Sequence, residues 1–437
     1  MSQQESEALL DGGYAYGLSP VEAHAMRILV VVPQPFFSPR GTPFSVYYRT
    51  LLTSELGHRA DVLTYGQGAD VDIPNTRLIR IPAFRFLGPV KTGPSLLKAF
   101  LDVFMILWTV ALLVRHRYDV VHAHEEAVFW CRWLKPIFRY RLIYDMHSSL
   151  PQQLQNFDFT RARFLHWLFE VLENEAVRAA DTVITICPAL QTHALSLTED
   201  ADKVLLIENS IFDPVRFAGQ AAPQEETKAP EAGTSAVETW LAQRPAEQVI
   251  AYAGTLEAYQ GIDKLLEAFA LAVKSVPQAG LLVIGGQPRQ VEQYRALAGR
   301  LELGDHVFFT GQLPQTEAQR LVARAGACVS PRFSGTNTPL KIYHLMSTGV
   351  PLIATRIDSH TQVLNDDVAT LTGTSIEELA AGIVEVLEHP EVARRKALHG
   401  QQWYQQHYSR DVYASKMQQL FRIVTGYRST PAETRAA

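Results

Sequence analysis

Four segments carry residue types able to handle a charged or hydroxylated ligand. In the run YDVVHAHEEA (118–127), His122, His124, Glu125 and Glu126 close an apolar stretch. Two imidazoles and two carboxylates admit a metal site, a polar cluster against a sugar or leaving group, or buried structural histidines. Side chains alternate along a strand, so His122 and His124 share a face, yet no third ligand is fixed by spacing, which favours the polar cluster over a metal. In RFSGTNTPLK (332–341), Gly335, Thr336, Asn337 and Thr338 precede Pro339 at a helix start, flanked by Arg332 and Lys341. Unpaired N–H groups at such a start, together with the helix dipole, suit an anionic group. The Gly-Lys-Ser/Thr of a Walker loop is missing. Gly41 and Thr42 before Pro43 make a smaller version of the same turn, or an ordinary capped one, and Thr255 and Gln260 lie in a glycine turn at 251–261. The triplets Asp70-Val71-Asp72 and Asp200-Ala201-Asp202 could hold a metal diphosphate, but their polar, turn-like surroundings read as surface loops.

Each of the four follows a predicted strand. Apolar or β-branched runs at 27–33, 60–65, 77–81, 118–124, 141–145, 181–187 and 203–209 alternate with helical patterns near 43–56, 94–115, 126–134, 159–180 and 188–196. Runs apolar throughout are those of parallel strands covered on both faces. The Ala-, Pro- and Glu-rich stretch 218–246 breaks the alternation and reads as a linker or surface excursion. Strands resume at 248–254, 280–286, 306–311, 327–331 and 351–355, with helices near 261–276, 288–302, 314–324, 339–348, 375–388 and 391–406. The predicted organisation is a polar tail (1–26), a Rossmann-like domain (27–217), the linker (218–246), a second Rossmann-like domain (247–408), a terminal helix (409–427) and a tail (428–437). Two doubly wound α/β sheets of this kind bind ligands in the cleft beyond their strand C-terminal ends.

The 437 residues exceed one compact core. A composition of 47% hydrophobic and 19% charged residues excludes wholesale disorder, and a net charge of −5 argues against a nucleic-acid partner. Three scattered cysteines exclude a disulfide scaffold or a Cys-rich zinc module. The first 25 residues have no basic n-region, so no secretory signal is expected, and Met26 ahead of a buried strand is a candidate initiator. The apolar run 99–114 contains Asp102 and is 16 residues long, short for a spanning helix; a helix buried between sheet and helices is expected there.

Taken together, the opening strand with SPRGTP (38–43), DVVHAHEEA (119–127), YDMHSSLP (144–151), DTVITICPAL (181–190), AGTLEAYQGIDKLLEAF (253–269) and TPLKIYHLMSTGVPLIAT (338–355) resemble the family 4 retaining glycosyltransferases of the GT-B fold, over about residues 27–425. The resemblance implies a nucleotide-diphosphate sugar as co-substrate, bound mainly by the C-terminal domain, with no cofactor and no metal. It implies that the acceptor, a lipid-linked or cell-envelope glycan, lies on the N-terminal domain. By the same resemblance Gly41 and Thr42 approach the diphosphate, His124 with Glu125 stands beside the transferred sugar, and His147 shapes the acceptor pocket.

The sequence departs from the family where the diphosphate is normally gripped. The family's Arg and Lys fall on Thr255 and Gln260, and its Glu-x7-Glu pair on Thr336 and His344. Arg332 and Lys341 are the expected replacement cations, and His344 keeps a ring nitrogen for the ribose. These losses leave two alternatives, a non-catalytic GT-B binding subunit and a nucleotide-sugar 2-epimerase. The place of action is expected to be cytoplasmic, peripheral on the inner face of the membrane. That follows from eleven basic against four acidic residues over 77–143, from the basic-aromatic run Arg132 to Arg141, and from Arg161, Arg163, Phe164 and Trp167.

Overall fold

The computed structural model describes residues 25–38, 41–84, 88, 90, 95–149, 163–212, 214–218 and 232–426. The expectations for the two tails, Pro39-Arg40, Leu150-Pro151, Arg161, the side chains of Arg163 and Phe164, and linker residues 219–231 lie outside them.

The N-terminal half runs β1 (Arg27–Val32), α1 (Gly41–Glu55), β2 (Arg59–Thr64), β3 (Thr76–Arg80), α2 (Leu96–Arg115), β4 (Val120–His124), α3 (Ala127–Phe138), β5 (Arg141–Met146), α4 (Arg163–Ala179), β6 (Thr182–Thr185), α5 (Pro188–Ser196) and β7 (Val204–Leu206). Its seven strands are all parallel, in the order β3-β2-β1-β4-β5-β6-β7. The order reverses between β1 and β4, so the loops after these two strands flank a crevice. Leu29 to Val32 are buried on both faces of the sheet, as their unbroken apolar run requires.

The C-terminal half runs α6 (Ala232–Ala242), β8 (Val249–Ala253), α7 (Ile262–Ser275), β9 (Gly280–Ile284), α8 (Pro288–Arg300), β10 (Val307–Gly311), α9 (Gln315–Ala323), β11 (Ala327–Ser330), α10 (Leu340–Thr348), β12 (Leu352–Thr355), α11 (Asp358–Thr361), β13 (Thr370–Thr372), α12 (Ile376–Glu388), α13 (Pro390–His407) and α14 (Arg410–Thr425). Its sheet is also parallel, in the order β10-β9-β8-β11-β12-β13, with the reversal between β8 and β11.

Two features differ from the sequence expectations, and the packing of the terminal helix adds to them. The stretch 218–246 is not all linker. It contains α6, whose Val237, Trp240 and Leu241 are buried on the second domain, with Trp240 Nε1 donating to the Asp305 carbonyl at 2.7 Å. The final helix α14 returns to the first domain. Tyr413, Met417, Leu420 and Val424 form one helical stripe that joins the core of β1 and α1, and Arg410 pairs with Glu55 at 2.6 Å. The apolar helix expected to be buried, α2, is buried along one stripe only. Leu101, Met105, Thr109 and Leu112 face the sheet, while Leu96, Val103, Leu107 and Val114 are exposed.

Candidate functional site

The strand-end histidines of the first domain are organised by a carboxylate from the neighbouring strand. His124 on β4 pairs in register with Asp145 on β5. Asp145 is fully buried, and His122 Nε2 donates to it at 3.0 Å, with His124 Nδ1 at 3.4 Å and His147 Nε2 at 3.3 Å. His124 Nδ1 and His147 Nε2 lie 3.0 Å apart, within hydrogen-bond distance, the tautomers deciding which ring donates. The rings of His122 and His124 stack at 4.5 Å, and those of His124 and His147 at 5.3 Å. Arg49, 1% exposed on α1, donates to both Asp145 oxygens at 2.8 and 2.7 Å and to the Ile207 carbonyl at 2.8 Å.

Electrostatics follow from this geometry. Burial opposes ionisation of Asp145, but Arg49 and the imidazoles outweigh it and hold the carboxyl well below its usual value. Burial lowers His124 well below the ordinary histidine value and His147 to about 4, Asp145 only partly opposing. Both rings are therefore neutral near pH 7. His122, His124 and Asp145 offer donor atoms close enough together to hold a metal ion. Both Asp145 oxygens already accept from a guanidinium, however, and a fixed cation at that point repels a second one. His124 Nε2 and His147 Nδ1 are buried without a protein partner among the described residues.

Glu125 belongs to a different group. Its φ of 49° turns the chain as β4 ends, and the structure sets it with Glu126, Lys98 and Asp102. Burial, then Glu126, push Glu125 up to about 7, and the same two causes push Asp102 up to about 7. Lys98 pairs with Glu126 at 2.7 Å, and Tyr65 donates to Asp102 at 2.6 Å.

Across the crevice stands the loop between β11 and α10. Asn337 Nδ2 donates to the His147 carbonyl at 2.9 Å, and Cys187 Sγ approaches Asn337 Oδ1 at 3.7 Å. Gln362 makes a second bridge, donating to the Thr336 carbonyl at 2.7 Å and accepting from the Ala189 N–H at 3.0 Å. Arg332 Nη1 reaches the Asn337 carbonyl at 3.4 Å, and its guanidinium lies 5.0 Å from the Tyr259 ring. Lys341 Nζ lies 4.1 Å over the Tyr252 ring and donates to Gln260 Oε1 at 3.4 Å. Among the described residues neither cation has a carboxylate partner. Burial, then the nearby Arg332, hold Lys341 well below the usual lysine value, and burial lowers Arg332 as well. Gly335 adopts φ 127°, a conformation L side chains rarely take, so glycine is required there by the backbone; a Cβ would meet Arg332 Nη1 at an ordinary 3.7 Å. Arg332 Nε, His344 Nε2 and Ser359 Oγ are buried without a protein partner among the described residues.

Two family profiles match in tandem. The one described as glycosyl transferase 4-like domain covers residues 52–210, and the one described as glycosyl transferases group 1 covers 241–403. The chain belongs to the group 1, family 4 glycosyltransferases. Sucrose-phosphate synthase from Thermosynechococcus elongatus superposes on this glycosyltransferase with a TM-score of 0.69, 20% identity, and coverage of 92% of this chain and 100% of that one. Anabaena HepE, solved in complex with UDP and glucose, gives a TM-score of 0.65, 19% identity, and coverage of 92% and 99%. At these identities the likeness establishes the GT-B fold. A phosphatidyl-myo-inositol mannosyltransferase of Mycobacterium tuberculosis is 26% identical over 176 residues, 39% of this chain and 45% of that enzyme. The match thus spans less than half the length of that curated relative.

Within this glycosyltransferase the sequence-predicted residues fall into three groups. His124, His147 and Asn337 meet across the crevice. Arg332, Gly335, Gln260 and Lys341 meet on the second domain, with Thr336, Thr338 and His344 on the same loop and helix start. Gly41 and Thr42 open α1 at the C-terminal end of β1, and a Cβ on Gly41 would meet nothing within 4 Å. Thr255 is exposed, its carbonyl accepting from the Tyr252 hydroxyl at 2.6 Å. Sequence reasoning missed Arg49, Asp145, Tyr252 and Tyr259. Asp145 had a signal, since it sits two residues before His147 on the strand next to His124.

Proposed function

We propose that this protein transfers a sugar from a nucleotide-diphosphate sugar to an acceptor hydroxyl with retention at the anomeric carbon. The observation that carries this reading is the pairing of two cations, Arg332 and Lys341, that among the described residues lack a carboxylate partner, with a helix start whose N-cap position, Pro339, makes no side-chain cap. A diphosphate supplies the negative charge such a site favours. In the proposed step the anomeric carbon–phosphate oxygen bond breaks, the acceptor oxygen attacks the same face, and the departing phosphate oxygen takes the acceptor's proton. Arg332 and Lys341 stabilise leaving-group charge, which is electrostatic catalysis by prepositioned groups. His124, neutral and oriented through Asp145, offers Nε2 to a hydroxyl of the sugar, and His344 offers a ring nitrogen to the ribose. Glu125, through its contacts with Glu126 and Lys98, shapes the loop after His124.

The acceptor is proposed to be lipid-linked or a cell-envelope glycan, reached from an anionic membrane surface on the cytoplasmic side. The mycobacterial relative's name, a phosphatidylinositol mannosyltransferase, supports a lipid-borne acceptor. Incubation with UDP- and GDP-sugars, followed by anomeric proton NMR of the product, tests the reading. A new glycoside or free sugar with the donor's anomeric configuration is expected. An intact donor under every condition, or a donor epimerised at C2, would rule it out.

A further inference from the structure

We propose that the α2–α3 face of the N-terminal domain seats this protein on an anionic bilayer by apolar insertion, with α2 lying in the plane of the interface. The inference rests on the lipid-borne acceptor proposed above and identifies the surface that reaches it. Leu96, Phe100, Val103, Leu107 and Val114 are 84%, 44%, 53%, 56% and 69% exposed. Their spacing of three, four and seven residues places them along one stripe of α2. The stripe opposite, through Leu101, Met105, Thr109 and Leu112, packs on the sheet. A helix whose outer face met only water would carry polar side chains there. The neighbouring helix α3 adds Trp133 and Ile137, one turn apart and 63% and 68% exposed.

The charges select a bilayer over a second copy of the chain. Arg115 and Arg117 follow the end of the α2 stripe and Arg139 follows α3, all three exposed and, among the described residues, without a carboxylate partner. Residues 96–141 hold seven Lys or Arg and four acids. Three of those acids are engaged within the fold: Asp102 accepts from Tyr65, Glu126 pairs with Lys98, and Asp119 accepts from the Arg27 N–H. Four of the bases are engaged likewise, Lys98 with Glu126, Arg132 with Glu175, and Lys135 and Arg141 with Asp181, which leaves Arg115, Arg117 and Arg139 as the rim. A basic rim on this face repels a copy of itself in a two-fold interface and attracts anionic headgroups. By length and composition α2 could cross a membrane. Its neighbours in the chain, β3 and β4, belong to one sheet, and Lys98 and Asp102 are paired inward, so crossing would dismantle the domain. The first turn of α2 touches the loop after His124 through Lys98 and Glu126, so the apolar stripe begins beside the strand ends that carry the site.

Sedimentation with vesicles of phosphatidylcholine, alone and mixed with phosphatidylglycerol, tests this face. The parent should pellet with the mixed vesicles and keep part of its binding in high salt, because apolar insertion is not screened. The double variant Val103→Gln/Leu107→Gln should bind at least about tenfold more weakly, and Trp133→Gln should weaken binding from a separate helix. Melting temperature and nucleoside-diphosphate binding should stay at parental values in both. Three results would overturn the proposal: a parent that never pellets, variants that pellet like the parent, or a parent dimer in sedimentation equilibrium that the double variant abolishes. Vesicle binding by a parent that binds no nucleoside diphosphate would remove the transferase reading and still support this face.

Discussion

The side-chain amide of Asn337 donates to the backbone carbonyl of His147 at 2.9 Å, joining the phosphate-type loop of the second domain to the histidine cluster of the first. Because the acceptor is a main-chain atom, the bond fixes the distance between the domains independently of the protonation state of any histidine. Asn337→Ala removes one such bond, worth about 1 kcal/mol. Turnover should fall several-fold while folding stability is little changed, as read by steady-state kinetics beside a denaturation curve. Parental turnover would show that this contact does not align the two half-sites.

Asp145 holds the histidine cluster and is itself held by Arg49. Asp145→Asn leaves a buried guanidinium without its counter-charge, and losing one partner of a buried ion pair costs roughly 3–5 kcal/mol. Urea denaturation of the variant should show a loss on that scale. A loss below about 1 kcal/mol would mean that Arg49 finds another acceptor and that the pair does not organise the site.

His124 offers its buried Nε2 to the reacting sugar rather than to the diphosphate. His124→Ala should cut turnover by at least about a hundredfold while changing nucleoside-diphosphate affinity by less than about threefold, the split expected when a group acts on the transition state. Unchanged turnover, or a parallel collapse of diphosphate affinity, would move His124 out of this role.

Glu125 predicts a pH dependence of stability. Its folded pKa is raised to about 7, chiefly by burial and then by Glu126. The folded protein therefore binds more protons than the unfolded chain between about pH 4.3 and about 7, and stability contributed by this group falls as pH rises through that window. Glu125→Gln should raise the melting temperature relative to the parent at about pH 8 more than at about pH 5. An equal change at both would show that ionisation of Glu125 carries no cost in the fold.

Much of the fold was legible because parallel strands buried on both faces read as unbroken apolar runs, as in Arg27–Val32. What failed depends on tertiary partners. α6 reads as linker because its helix is secured by Trp240 packing on the second domain, against Phe308 and beneath Arg244. β13 has three residues, too few for a period to register. α2 is apolar around most of its circumference, so nothing in its sequence says which stripe meets the sheet and which stays exposed. At the site, His122 and His124 were visibly on one face, but their tie to Asp145 needs the β4–β5 register, and Arg49 lies 96 residues from its partner. Lys341 and Arg332 were legible as cations at a helix start; the Tyr252 and Tyr259 rings beneath them were not.

The central claim is that Arg332 and Lys341 grip the nucleotide diphosphate in place of the family's usual pair. Isothermal titration of UDP and GDP into the parent, Arg332→Met and Lys341→Met measures it directly. The parent should bind one of the two nucleotides, and each substitution should weaken that binding by roughly 1.5–3 kcal/mol, the scale of a lost charged hydrogen bond. Parental affinity in both variants would contradict the account.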